Sequence, residues 1–510
     1  MNLVEYVFRA ARNSDGWSRP AILYEDQRLT YEQLFRLVKK FAGALRAVGV
    51  GPGDAVAIAA ADCPEFVISF LGAAAAGSVA VPVSTMASPA ELEHILGHCG
   101  ARAVVITPDQ AGKLQSVRGN LRRLETVLLV GGEGEGARSF GDAVTGAPEA
   151  EVEPVGDEAT AFILYTSGST GRPKGAVHVH RNLPFTVEAF CRHLLRVGPE
   201  DRLFSSSRLF FAYGLGNSLS FPLGSGAAAV LCKERPTPQT IAGVFERYRP
   251  TIFFGVPAVF RALLEHASRG AALETGSLKF CVSAGEKLPA RIFHEWKGLT
   301  GLDILDGIGS TEMLHMFISN SREEIRVGSS GRVVPGYEAK LTDAPGREVV
   351  GAGTGDLWVK GLSASIGYWM EPEKTAAAMR DGWVRTGDLY RRDGEGYYWF
   401  EGRADDLFKV KGMWVSPVEV EEALLSCPEV SEAAVVPRVD EEGLNRVVAY
   451  VVLKSKQPAG AEAEGKLNSH LSARLPPYKR PAEFHFTDAL PRTATGKLQR
   501  FKLRDKPAES

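Results

Sequence analysis

The sequence predicts an α/β protein. A large N-terminal domain is expected to combine two α/β layers with a β-rich subdomain, and a small α+β C-terminal domain follows. Three observations lead there. Short apolar runs alternate with helix-length segments over the first 110 residues and again between about 227 and 285. After about residue 325, short alternating runs cut by Gly and Pro replace them, which suggests antiparallel strands. The last hundred residues carry a strand and helix pattern of their own.

The elements follow in order. MNLVEYVFRAARNSDG (1–16) has the spacing of an amphipathic helix and lacks the charged start and long apolar core of a signal peptide. AVAIAA (55–60) reads as a strand, PEFVISFLGAAAAG (64–77) as a helix, VAVPV (79–83) as a strand. SPAELEHILGHCG (88–100) is again helical, and ARAVVIT (101–107) is a strand. The apolar stretch 67–83 contains Gly72, Gly77 and Pro82, so it is expected as a buried helix and strand rather than a membrane span. The rhythm returns at AAAVLC (227–232), TIAGVFERYRP (240–250), TIFFGV (251–256) and SLKFCVSAG (277–285). DGEGYYWFEG (393–402) looks like a hairpin entering an aromatic strand. EVEEALLSC (419–427) is a helix, and AAVVP (433–437) and RVVAYVVLK (446–454) are strands. The texture changes at the charged stretch 401–406, which sets the domains at 1–402 and 403–510.

Composition narrows the class. At 510 residues, 45% hydrophobic and 24% charged, the chain can bury a large core and is globular. A net charge of −2 gives no electrostatic case for nucleic acid. Six cysteines (Cys63, Cys99, Cys191, Cys232, Cys281, Cys427) lie scattered with no CxxC pair, a pattern of reduced thiols in a cytoplasmic protein rather than a disulfide or zinc framework. No membrane association is expected, and the chain is expected as a monomer or homodimer.

One stretch asks for chemistry. AFIL runs into YTSGSTGRPKG (165–175), a strand followed by glycines, hydroxyls and two cations. Glycines let backbone N–H groups converge on phosphate oxygens, hydroxyls add donors, and Arg172 and Lys174 supply charge. The spacing is not that of a Walker A loop, because Pro173 precedes the lysine and Gly175 follows it. On composition alone a surface turn remains the alternative.

YTSGSTGRPKG resembles the phosphate-binding loop of the acyl-adenylate-forming superfamily, the acyl- and aryl-CoA synthetases and adenylation domains. Four further stretches match that family's motifs in its order: IGSTEM (308–313), RTGDLY (385–390), GRADDLFKVKG (402–412) and PRTATGKLQR (491–500). The resemblance implies ATP, Mg²⁺ and coenzyme A as co-substrates or cofactors and a carboxylic acid as the small-molecule partner. It implies that Thr166, Ser167, Gly168, Ser169, Thr170, Gly171 and Lys174 hold the outer phosphates. Asp306 and Gly307 would contact the nucleotide, Thr311 and Glu312 the α-phosphate, and Glu312 a Mg²⁺ ion bound mostly through ATP. Asp388 would accept hydrogen bonds from both ribose hydroxyls, and Arg403 would make a second ribose or phosphate contact. Lys497 would bridge the carboxylate and the α-phosphate, a task suited to a point charge that meets oxygens of two groups. Asp405 matches the hinge on which the C-terminal domain moves between half-reactions, and Gly412 would let backbone pass close to the pantetheine thiol.

For the acid, SSSRLFFAYGLGN (205–217) and GIGSTEMLH (307–315) resemble benzoate-CoA ligases and their anthranilate and hydroxybenzoate relatives more than fatty acyl-CoA synthetases. Phe211 and Tyr213 offer ring surface, Ala212, Ala284 and Gly285 leave room for a flat ring, and Ile308 adds an apolar wall. His315 either contacts a ring substituent or packs in the core. Ala212 stands where α-amino-acid adenylation domains usually place an aspartate, which disfavours a buried ammonium. The expected activity is aryl carboxylate–CoA ligation through an aryl adenylate. A stand-alone enzyme loading a carrier protein, or a medium-chain fatty acyl-CoA ligase, is the alternative.

Overall fold

The alternating apolar runs become two mainly parallel sheets. The computed structural model describes residues 1–12, 14–167, 172–343, 346–410, 413–440, 444–454, 460–492 and 498–504. One sheet orders its strands Arg138–Ser139, Thr126–Leu129, Ala103–Ile106, Ala55–Ala59, Val79–Pro82 and Thr160–Ser167, all parallel. Pro173–Val179 and then Gly367–Tyr368 continue it antiparallel. Ala55–Ala59 and Ala103–Ile106 are buried at every residue, as expected of parallel strands covered on both faces.

The second sheet runs Gln27–Thr30, Pro20–Tyr24, Ala228–Val230, Arg202–Ser205, Ile252–Gly255, Phe280–Ser283, Ile304–Gly309, Met316–Ser319 and Arg332–Val333. It is parallel from Pro20–Tyr24 to Ile304–Gly309 and antiparallel at both edges. The two expected α/β layers are therefore present. The chain divides into two compact units, Met1–Ala339 with Val359–Val384, and Lys340–Trp358 with Arg385–Ser510.

Helix packing follows from side-chain size. The helix Tyr31–Ala47 starts at a capping box, with Thr30 and Gln33 exchanging side-chain and backbone bonds. It lies against Pro64–Ala75 at Gly72, where a Cβ would come 2.6 Å from Phe41 Cδ1. Tyr31 is fully buried, and its hydroxyl reaches the carbonyls of Pro222, Leu223 and Ala227, the last at 2.6 Å.

The N-terminus departs from the expected long helix. The α-helix is only Leu3–Val7, and 3₁₀ turns Arg9–Arg12 and Ser14–Ser18 follow. Phe8 packs at 4.8 Å from Phe35 and stacks at 6.3 Å on Trp17, so burying aromatic rings bends the chain back on itself. Five cysteines are buried and Cys232 is partly so, and all six are free thiols. Among the described residues no helix is long and apolar enough to cross a membrane.

In the second unit, Val430–Val439 pairs antiparallel with Asn445–Leu453, which pairs parallel with Glu483–Phe486. Helices Pro417–Leu425 and Ala461–Ser472 bury Val420, Leu424, Leu467 and Leu471 in a core shared with Val435 and Ala449. The expected hairpin is the strand Trp383–Arg392 paired with Tyr398–Arg403.

Tyr31→Phe leaves three buried carbonyls without that donor and is expected to destabilise the fold by about 1–3 kcal/mol. Urea unfolding of the two proteins measures it.

Candidate active site

The suspected phosphate loop springs from a sheet hairpin whose register is fixed. Tyr165 faces Gly175, Thr166 faces Lys174 and Ser167 faces Pro173. The helix Pro89–Cys99 braces both stems. His98 Nδ1 lies 2.8 Å from the Tyr165 hydroxyl, and His94 Nε2 donates to the Pro173 carbonyl at 3.1 Å. The two imidazoles stack at 5.3 Å, and burial followed by His94 holds the pKa of His98 below its usual value. A side chain on Gly175 would strike Ile163 at 2.6 Å, so the stem strands need glycine there to lie close. Gly168, Ser169, Thr170 and Gly171 lie outside the described residues, as does the side chain of Ser167.

Lys174 and Glu312 come together around a third residue, Tyr368. Lys174 Nζ donates to the Tyr368 hydroxyl at 2.6 Å and sits 3.9 Å from its ring centroid. The hydroxyl donates to Glu312 Oε1 at 2.7 Å, and the ammonium and carboxylate are 3.7 Å apart. Thr311 is held from behind. His178 Nε2 donates to its carbonyl at 2.8 Å, and burial lowers the pKa of His178 to about 4, so the imidazole is neutral at pH 7. The Glu312 carbonyl accepts from Ser365 N at 2.7 Å.

The remaining residues of this unit lie at or just beyond the carboxyl ends of parallel strands, where open α/β sheets bind ligands. Ala284 and Gly285 follow Phe280–Ser283, and Asp306, Gly307 and Ile308 belong to the adjacent Ile304–Gly309, with Ser283 opposite Asp306. Gly285 adopts φ +95°, which only glycine takes without strain. Phe211 precedes the short helix Ala212–Leu215 and packs on Phe210 at 4.6 Å. The Tyr213 hydroxyl donates weakly to Gly255 O and Val282 O, at 3.4 and 3.3 Å.

Two buried polar groups stand out here. His315 is 3% exposed and packs against Phe221 at 4.4 Å, Phe190 at 5.1 Å and Tyr213 at 5.4 Å. Its Nε2 bonds Asn217 Oδ1 at 3.1 Å, and burial takes its pKa to about 3. Its Nδ1 has no hydrogen-bond partner among the described residues. Asp306 accepts from Leu288 N at 3.3 Å, while its Oδ1 has no hydrogen-bond partner among the described residues. Burial pushes its pKa up to about 8.

In the second unit Asp388 and Arg403 face each other across the hairpin, with Arg403 Nη1 donating to Asp388 Oδ1 at 2.8 Å. Asp388 is 12% exposed and Arg403 48%. Arg500 reaches Glu421 at 2.7 Å and Asp406 at 3.4 Å, tying the chain beyond residue 497 to the expected hinge stretch. Arg492 and Leu498 pair as an antiparallel bridge. Lys497, Gly412 and the side chain of Asp405 lie outside the described residues.

These features can be set beside known proteins. Residues 8–369 match the family described as AMP-binding enzyme, and residues 419–497 match the AMP-binding enzyme C-terminal domain. The chain belongs to the AMP-binding enzyme family. It is 43% identical to the benzoate–CoA ligase of Thauera aromatica over 477 residues, 93% of this chain and 90% of that one. Its structure is similar to that of the anthranilate CoA ligase AuaEII in complex with anthranoyl-AMP, with a TM-score of 0.93, 36% identity and coverage of 99% and 96%. A benzoate CoA ligase from Burkholderia xenovorans LB400 superposes with a TM-score of 0.89 at 38% identity, covering 99% of this chain and all of that one.

Within this AMP-binding enzyme the structure joins Lys174, Thr311 and Glu312 in one cluster, Tyr213 and His315 in another, and Asp388 with Arg403. Tyr368, His94, His98 and His178 are participants that sequence reasoning missed. For the histidines a signal was present, since His94 and His98 sit four apart on one helix face, and His178 follows the loop by a few residues. Tyr368, in IGYW, offers none without the fold.

Asp306 gives a pH test. Unfolded, its carboxyl loses its proton near pH 4, and folded it keeps it to about 8. The stability it contributes is complete below about pH 4 and is lost as pH rises to about 8. In Asp306→Asn this slope should vanish, so melting temperatures recorded from pH 5 to 8.5 fall less steeply than in the wild type.

Proposed function

We infer that this AMP-binding enzyme is an ATP-dependent aryl carboxylate–CoA ligase of the benzoate or aminobenzoate type. The observation that carries the reading is that one unit holds both a cation–carboxylate cluster at the stem of a glycine-rich loop and a neutral, ring-lined set of residues at its strand ends. Similarity to benzoate and anthranilate CoA ligases supports it.

The chemistry has two steps. An aryl carboxylate oxygen attacks the α-phosphorus of ATP, the bond to the β-phosphate bridging oxygen breaks, and pyrophosphate leaves. The thiol of CoA then attacks the acyl carbon, giving the thioester, and AMP leaves with the anhydride oxygen. Two anions must meet in the first step, so positioning and charge neutralisation dominate. Thr166, Ser167, Gly168, Ser169, Thr170, Gly171 and Lys174 hold the outer phosphates, and Thr311 and Glu312 face the α-phosphate. Asp306 and Gly307 contact the nucleotide, and Asp388, fixed by Arg403, takes the ribose hydroxyls. Lys497 spans the two reacting anions.

Mg²⁺ fits the donor set in a limited way. Glu312 is a single, 17% exposed carboxylate, and the described residues gather no group of three potential ligands. One carboxylate plus substrate phosphates and water is the manner in which Mg²⁺ is usually held. There it would neutralise phosphate charge.

The acid sits against Phe211 and Tyr213, with Ala212, Ala284, Gly285 and Ile308 giving a flat, uncharged slot and His315 backing it. Asp405 is the hinge between a domain of residues 1–402 and a mobile domain of residues 403–510, and Gly412 admits the pantetheine arm. The cytoplasm suits an enzyme with six free thiols.

The reading is tested by carboxylate-dependent ATP consumption, with and without CoA, over benzoate, 2-aminobenzoate, 4-hydroxybenzoate, hexanoate and decanoate. AMP release requiring both a benzoate-type acid and CoA is expected, whereas turnover of decanoate alone would overturn it. Lys497→Ala should slow adenylation by at least about a hundredfold. It should leave thioester formation from supplied aryl adenylate intact, as read by CoA thioester absorbance. Asp405→Pro should do the reverse, sparing adenylation and stopping thioester formation.

A further inference from the structure

Tyr368 owes its place to the sheet rather than to a loop. It ends the edge strand Gly367–Tyr368, which pairs with Pro173–Val179 so that Tyr368 lies opposite Ala176. Tyr368 N donates to Thr375 Oγ1 at 2.8 Å, and next to it Trp369 N donates to the Gly175 carbonyl at 2.7 Å and Trp369 Nε1 to the His98 carbonyl at 3.1 Å. The residue is 6% exposed. The same strand that carries Lys174 thus fixes the tyrosine beside it.

Only one arrangement of protons satisfies its hydroxyl. An ammonium has no lone pair, so Lys174 donates to the phenol oxygen, and the single phenol proton goes to Glu312. The chain N–H···O–H···O⁻ puts a neutral oxygen between cation and carboxylate. Their 3.7 Å separation exceeds the 2.7–2.9 Å of a direct charge-assisted contact. With side chains only 25% and 17% exposed, a direct contact would be weakly screened by water.

We propose that Tyr368 is a positioning residue for adenylation: its hydroxyl holds Lys174 and Glu312 apart, so that MgATP meets both without first breaking a contact ion pair. This rests on the reading of residues 166–175 as the phosphate loop. Tyr368→Phe keeps the ring under the ammonium but removes the oxygen, and the lysine and glutamate then close on each other and compete with the polyphosphate.

The test is a double-mutant cycle with Glu312→Gln, in which a contact ion pair cannot form. MgATP affinity is measured by titration calorimetry, and KM values for MgATP and benzoate by pyrophosphate–ATP exchange. Tyr368→Phe is expected to weaken MgATP binding and raise its KM about tenfold, with the benzoate KM changing by less than about twofold. In the Glu312→Gln background the same change should cost less than about twofold. An equal loss in both backgrounds would mean a merely structural role and overturn the proposal, as would an unchanged MgATP affinity in Tyr368→Phe. Lys174→Ala separates the two levels. If it leaves MgATP binding intact, the phosphate-loop reading falls as well, and if it weakens binding while Tyr368→Phe does not, only the role of Tyr368 falls.

Discussion

The antiparallel register that sets Thr166 opposite Lys174 and Ser167 opposite Pro173 is the constraint on which the first unit's chemistry depends. Five parallel strand pairings precede it in the same sheet, and the chain then turns back on itself instead of crossing over. That reversal anchors both strands that flank the glycine-rich segment. A slip of one residue would send Lys174 to the opposite face. His94 and His98 hold one stem each, and Gly175 allows the strands to approach. The third strand, Gly367–Tyr368, then brings Tyr368 to the lysine and, through it, to Glu312 from the other sheet.

The second sheet solves a different problem. Its parallel strands bring their carboxyl ends side by side, so residues far apart in the chain reach one region: the 205–213 segment, Ala284 with Gly285, and Asp306 with Ile308. His315 fills the space under Tyr213 and, neutral by burial, behaves as an aromatic ring with one hydrogen bond to Asn217. Gly216 makes that packing possible, because a Cβ there would stand 2.3 Å from His315 Cδ2.

Much of this was legible because it is local. The family resemblance of the glycine-rich stretch, IGSTEM and RTGDLY lies in a few consecutive residues each, and the change of hydropathy period marked both α/β layers and the hairpin before residue 403. What stayed hidden depends on pairing between distant segments. Tyr368 matters only because an edge strand docks on Pro173–Val179, and nothing in SIGYWM announces that. The short N-terminal helix was misjudged for a similar reason, since apolar spacing cannot tell a continuing helix from a chain that folds back to stack Phe8 on Trp17. His315 read ambiguously because the same residue type serves as ligand contact or core filler, and the rings around it, Phe190, Phe221 and Tyr213, come from distant segments.

The buried cysteines bear on how such a chain survives its own product. A mixed anhydride held inside a protein acylates any nearby thiolate, and the thiolate rather than the thiol is the nucleophile. Burial raises the pKa of Cys63, Cys99, Cys191, Cys232, Cys281 and Cys427 alike, so at neutral pH each remains a thiol. The six cysteines therefore offer such an intermediate no ready thiolate.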